Sequence, residues 1–157
     1  MEFQKSFTVD EAKRKLEAYC AYQDRCHKEV HKRLKELNMI PQAVDHIIAH
    51  LIQHNFLNEE RFAKSFARGK FRIKKWGKQR IVKELKLREI SRYNINSALK
   101  EIPVEEYYEA FEELAQKRWE QLKGQKPQIR KKKFIDYLLY RGWEYELIYT
   151  KINNLNV

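Results

Sequence analysis

Apolar residues recur along the chain at helical spacing in three successive sets. After Ile40 they fall at Val44, Ile47, Ile48 and Leu51; after Ile90 at Ile95, Ala98, Leu99 and Ile102; after Trp143 at Leu147, Ile148, Ile152 and Leu155. Steps of three, four and seven put each set on one face of an α-helix. The three anchors stand 50 and 53 residues apart, so the pattern reads as an internal repeat. Upstream of each anchor a shorter helical set matches: Val30, Leu34 and Leu37; Ile81, Leu85 and Leu87; Phe134, Leu138 and Tyr140. A longer helix opens each unit, through Ala12, Leu16 and Tyr19, then Phe62, Ala63 and Phe66, then Phe111, Leu114 and Trp119. The prediction is an all-α tandem array of three three-helix units, at 1–53, 54–102 and 103–157. No unit can bury its apolar faces alone, so neighbours must stack.

Local chemistry supports those divisions. Asn58 is a good N-cap, and Glu59 and Glu60 suit the first turn that follows. Leu57 and Phe62 occupy the two positions of a hydrophobic staple. Ser91 is a second cap, and Pro41 and Pro103 fit a first helical turn. KGQKPQ, residues 123–128, reads as the one long loop.

Composition narrows the class. With 4 Gly and 3 Pro in 157 residues there are too few turn formers for a β-sandwich. No apolar run approaches the roughly 20 residues of a membrane span, and the N-terminus lacks the apolar stretch of a secretory signal. A cytoplasmic protein without membrane contact is expected. Cys20 and Cys26 read as two independent reduced thiols on one helix. The pairs His27 and His31, and His50 and His54, have helical ligand spacing but bring no third and fourth ligand, so no metal or other cofactor is expected. There is no Gly-rich phosphate loop, no HExxH and no recognisable Ser or Cys nucleophile, which argues against an enzyme.

Charge adds a different signal. The net charge is +11, but residues 1–60 sum to −1, so the whole excess lies in the remainder. Segregated positive charge points to a polyanionic partner. Between 64 and 92 there are twelve cations, opposed only by Glu84 and Glu89. Candidate contacts there are Lys70, Arg72, Lys74, Lys75, Lys78, Arg80 and Lys83, with Trp76 able either to stack on a base or to pack between units. A second run, Arg130, Lys131, Lys132 and Lys133, opens a predicted helix against its dipole and is expected to form one basic edge with Lys123 and Lys126. Arg61 reads as a structural group, pairing with a carboxylate of a neighbouring unit.

Residues 57–91, LNEERFAKSFARGKFRIKKWGKQRIVKELKLREIS, resemble the most characteristic stretch of the RecX family. An acidic–Arg–Phe–Ala cluster (Glu60, Arg61, Phe62, Ala63) opens a helix. A basic connector ends at Gly77, and an Ile-x-x-Glu-Leu helix follows with Ile81, Glu84 and Leu85. Family members commonly carry Gly before the apolar residue that closes a unit's second helix. Here Gly142 precedes Trp143, but Glu89 precedes Ile90 and Met39 precedes Ile40, so the first two units are expected to stop that helix differently. The resemblance implies an elongated, curved, monomeric array of helical repeats that binds in the groove of the RecA–DNA filament. It implies a regulator that suppresses RecA ATPase, strand-exchange and coprotease activities in DNA repair, recombination and SOS control, and contacts single- or double-stranded DNA weakly and without sequence preference. The competing reading of the charge is a free-standing, non-specific DNA-binding helical protein.

Overall fold

The computed structural model describes residues 6–155; residues 1–5 and 156–157 lie outside it. Among the described residues there are nine helices and no strand. They are α1 (Val9–Tyr22), α2 (His27–Glu36), α3 (Pro41–Gln53), α4 (Glu59–Arg72), α5 (Lys78–Leu87), α6 (Arg92–Leu99), α7 (Val104–Gln121), α8 (Pro127–Tyr140) and α9 (Tyr145–Leu155). The all-α repeat is what the periodicity predicts. We propose the division at 1–53, 54–102 and 103–157, which assigns three of these helices to each unit.

Side-chain caps set several starts. The Thr8 hydroxyl accepts from the Glu11 amide at 3.1 Å while the Glu11 carboxylate accepts from Thr8 N, a reciprocal capping box. Asn58 accepts from Arg61 N at 2.9 Å, and Ser91 from Asn94 N at 3.2 Å, as expected of both. Pro41 begins α3, but Pro103 sits one place earlier than expected, as the cap of α7. The loop after α7 is also shorter than its composition implies, because Pro127 already begins α8.

The second helix of every unit ends in the same way. Met39 N donates to Leu34 O, Ile90 N to Leu85 O and Trp143 N to Leu138 O, each at 3.1 Å. The residue before each is left-handed: Asn38 at φ 60°, Glu89 at φ 61° and Gly142 at φ 91°. These are three copies of one Schellman-type stop. Two expectations fall here. The first two units do not use a different stop, and the repeat register in the first unit is Met39, not Ile40, which caps α3 and is 63% exposed. Asn tolerates the left-handed region, whereas Glu89 carries strain of about 1–3 kcal/mol there. That strain is offset because the turn delivers Ile90 into the core. The same register exposes Leu87 (56%) and Tyr140 (75%), so neither belongs to the buried set predicted for it; one residue beyond each, Arg88 and Arg141 are the C-caps of α5 and α8.

Two apolar cores result. One holds Leu16, Leu34, Ile47, Leu51 and Leu57 from the first unit. The other runs without interruption through α4–α9, from Phe62 to Ile152, and takes in Cys26 from the first unit. Leu57 and Phe62 therefore do not staple one another: the chain passes between cores at Asn58 and sends them to opposite sides. Cys20 and Cys26 are not on one helix either, because α1 ends at Tyr22 and Cys26 caps α2. Both thiols are free and buried. Burial pushes the Cys26 thiol up to about 11, which leaves it protonated and unreactive at neutral pH.

Leu85 is fully buried and its carbonyl closes the α5 stop. Leu85→Ala is expected to cost about 2–5 kcal/mol, as a large-to-small change in a core that cannot collapse around it. Urea denaturation checks this; a variant as stable as the parent contradicts the shared core.

Candidate binding surface

The basic connector between α4 and α5 is held by its backbone. Lys74 N and Lys75 N continue the α4 ladder to Lys70 O and Phe71 O, and Trp76 N turns back to Lys70 O. Lys75 takes the left-handed conformation this turn requires, at φ 58°. Beyond it the chain is fastened to the third unit. Gly77 N donates to Arg141 O at 2.8 Å and Gln79 N to Gly142 O at 3.0 Å. In return Arg141 Nη1 donates to Lys74 O (2.8 Å) and Trp143 Nε1 to Lys75 O (3.1 Å). Tyr107 completes the joint: its hydroxyl accepts from Lys78 N and donates to the Glu144 carboxylate. Burial and that carboxylate hold the Tyr107 proton far above the usual phenol range, so the bond persists at any physiological pH.

This fastening requires two glycines. A Cβ on Gly77 would lie 2.4 Å from Gly142 O, and one on Gly142 would lie 2.3 Å from the Arg80 Cβ. The sequence singled out both residues separately; nothing in their local context indicates that they meet.

The candidate cations divide into two kinds. Arg72, Lys74, Lys75 and Lys83 are exposed. Lys70, Lys78 and Arg80 are half-buried on aromatic rings: Lys70 Nζ is 5.0 Å from the Trp76 ring, Lys78 Nζ 4.6 Å from Tyr107, and the Arg80 guanidinium 4.1 Å from Trp76 and 4.8 Å from Tyr140. Trp76 is itself half-buried, edge-on to Phe66 at 6.2 Å and packed against the larger core. Its environment is that of a packing residue that orients Arg80 and Lys70, and little of its face is left for a base.

Within the second basic run Arg130 is half-buried, while Lys131, Lys132 and Lys133 are exposed, as are Lys123 and Lys126. The Arg130 guanidinium lies 3.8 Å from the Trp119 ring and donates to Trp119 O through Nη2 at 2.7 Å, capping one carbonyl in the last turn of α7. Lys132 pairs with Asp136 at 2.7 Å, one turn on. Lys131 lines a hollow with Trp119, Pro127 and Leu155, whose lining includes no residue of 70–83. Because α8 starts at Pro127, Lys131–Lys133 lie past the first turn, where the helix dipole has little hold. The expected electrostatic conflict is therefore small for these three, whereas Lys126 stands at the N-cap itself.

Arg61 joins the first unit to the second. Its Nε donates to Asp24 at 2.8 Å and its Nη2 to the carbonyls of Asn55 and Phe56, both at 3.1 Å. Lys28 Nζ adds a bond to Leu87 O at 3.0 Å. Beside this joint a cleft of about 470 Å³ opens between Asp24 and Glu29 on one side and Lys70, Lys74 and Arg88 on the other. Charge averaging over residues 1–60 concealed three cations of α2: Lys28, Lys32 and Lys35 share a groove with Glu84 and Leu87 of α5 and with its C-cap Arg88. Their spacing of four and three residues was the available signal.

Among the described residues no group of three or more His, Cys, Asp or Glu side chains is placed to hold a metal ion, and no helix is long and apolar enough to cross a membrane. His50 and His54 stack on one another with centroids 4.4 Å apart, and His50 Nε2 is 3.5 Å from Glu17.

Comparison with known proteins matches this geometry. Models of the second and third three-helix domains of RecX match residues 58–99 and 105–152. The regulatory protein RecX of Serratia proteamaculans (strain 568) is 33% identical over 116 residues, covering 73% of this chain and 67% of that protein. This chain belongs to the RecX family. The RecX of Clostridioides difficile (strain 630) is 26% identical over 144 residues, 92% of this chain and 68% of its own length. For the RecX of Streptococcus uberis the corresponding shares are 88% and 53%, so the chain spans about half of that relative. The crystal structure of RecX from Lactobacillus salivarius superposes with a TM-score of 0.80 over 94% of this chain and 96% of that one, at 24% identity, which establishes a shared fold. The joint between α5 and the α8–α9 turn connects the two domains matched by the RecX models.

Proposed function

We propose that this protein binds the RecA–DNA filament and inhibits RecA ATP hydrolysis, strand exchange and coprotease activity, as a monomeric, non-enzymatic, cytoplasmic regulator in DNA repair, recombination and SOS control. The observation that carries the reading is the 57–91 stretch of a RecX-family chain. Its connector is held by backbone bonds partly to α4 and partly to the next unit, while Arg72, Lys74 and Lys75 stand in solvent. A rigid backbone presenting mobile cations suits a polyanionic lattice that repeats along its length, since the charges adjust without the array losing register. An array of helical units spanning several subunits would oppose the motions that accompany ATP turnover. A free-standing DNA-binding protein would share the charge but not the RecX-type stretch.

Titration into RecA on single-stranded DNA separates the two. Substoichiometric protein is expected to lower ATP hydrolysis, and inhibition is expected to persist when DNA is in several-fold excess over RecA. Inhibition that needs enough protein to coat the DNA, and vanishes with excess DNA, favours the bare DNA binder.

A further inference from the structure

We infer that the second helices of the three units, α2, α5 and α8, carry a track for single-stranded nucleic acid that begins on the first unit. Two grooves run side by side across the array with α5 as their common wall. The first lies between α2 and α5 and bears Lys28, Lys32 and Lys35. The second lies between α5 and α8 and bears Arg80, Lys83 and Tyr140.

The carboxylates in these grooves are already engaged. Glu84 pairs with Arg88 at 3.0 Å. Glu29 accepts from Cys26 Sγ at 3.2 Å and lies 3.8 Å from Arg25. Lys28 is partly used by the Leu87 carbonyl. Lys32, Lys35 and Lys83 are exposed and, among the described residues, none of them forms an ion pair. Three of the nine Lys and Arg residues of the first unit thus line the groove side of α2, while the net charge of the unit stays near zero. A polyanion meets that local field, because charges beyond about 10 Å are screened at ordinary ionic strength.

The second groove supplies what a phosphate track alone lacks. Tyr140 is three-quarters exposed, and the Arg80 guanidinium is held beside it by Trp76 on its other side. An accessible ring beside a fixed cation is a platform for an unstacked base, with Lys83 within the same groove for its phosphate. A duplex keeps its bases stacked and paired, so it can use the lysines but not the tyrosine. The repeat register explains the exposure, because the Schellman turn that buries Trp143 leaves Tyr140 on the outer face.

The biological meaning of this track rests on the filament reading above; the binding itself is measured without RecA. The full chain is mixed with fluorescent oligothymidylate and with a duplex of equal length, and anisotropy is followed over a range of salt. Lys32→Glu with Lys35→Glu is expected to weaken oligothymidylate binding at least ten-fold. It should also flatten the salt dependence by about 1.4 in log K against log salt, the loss of two single-strand phosphate contacts. Lys32→Gln with Lys35→Gln should give a smaller loss in the same direction, with the parent's thermal melting. Tyr140→Ala should weaken single-strand binding about ten-fold while leaving duplex binding unchanged. Unaltered oligothymidylate affinity in the folded charge variants overturns the track, as does an equal effect of Tyr140→Ala on both substrates. Variants that keep oligonucleotide binding but lose inhibition of RecA ATPase would assign α2 to a protein contact and also overturn it. A parent that binds no oligonucleotide yet inhibits RecA overturns the track and leaves the filament reading standing.

Discussion

Gly142→Ala is expected to loosen the third unit from the second and to lower stability by about 2–5 kcal/mol, the sum of two independent costs. At φ 91° a Cβ is opposed by the backbone itself, at roughly 1–2 kcal/mol. The same Cβ would lie 2.3 Å from the Cβ of Arg80 and 2.4 Å from its backbone nitrogen, and such overpacking typically adds about 1–3 kcal/mol. Relief requires the α8–α9 turn to retreat from α5. That retreat stretches the bonds Gly77 N to Arg141 O and Gln79 N to Gly142 O, and with them the arginine and tryptophan bonds to Lys74 and Lys75. Gly77→Ala probes the same contact from the opposite side without the backbone cost, since Gly77 sits at φ −77°. Its effect should therefore be the smaller of the two but still exceed 1 kcal/mol, on the scale of about 1–3 kcal/mol. Urea unfolding of both variants decides it. Stabilities within about 0.5 kcal/mol of the parent, the range of ordinary surface substitutions, would mean the units do not meet there.

Lys74→Glu combined with Lys75→Glu should raise the concentration needed to inhibit RecA ATP hydrolysis by at least about ten-fold, equivalent to some 1.4 kcal/mol. Both side chains are exposed, and the connector uses only their backbone atoms, so the fold should be untouched. Two reversals change the local charge by four units where a polyanion is expected, converting attraction into repulsion and slowing encounter most at low salt. Lys78 is left out because its ammonium covers the buried Tyr107 ring, where reversal would disturb the joint as well as the surface. The measurement is half-inhibition against protein concentration at two ionic strengths, beside circular dichroism of the variant. A folded variant that inhibits like its parent would show that the connector faces something other than the filament.

What was legible in the sequence follows the range of the forces involved. Helices rest on hydrogen bonds four residues apart and on apolar residues three and four apart. So the nine helices and most of their buried faces could be read directly, as could the Asn58 and Ser91 caps. The RecX-type stretch was legible for a similar reason: Glu60–Ala63, Gly77 and Ile81–Leu85 are ordered within a short span. Register was harder. Ile40 and Met39 are both apolar, and only the six-to-one hydrogen bond after α2 decides which of them turns inward.

Whatever depends on contacts between units was settled by tertiary structure. Nothing near Leu57 or Phe62 says that they enter different cores. The roles of Gly77 and Gly142, of Arg141 toward Lys74 and of Trp143 toward Lys75 join residues more than sixty positions apart, and no local periodicity encodes such pairs. The same holds for charge. Composition places the positive excess after residue 60, yet packing withdraws Arg130 onto Trp119 and brings Lys28, Lys32 and Lys35 of the near-neutral first unit beside α5. Sequence thus determines how much charge this protein carries and which helices bear it. The surface a partner meets is fixed only by tertiary packing, because electrostatic interaction falls off with distance in space and takes no account of position along the chain.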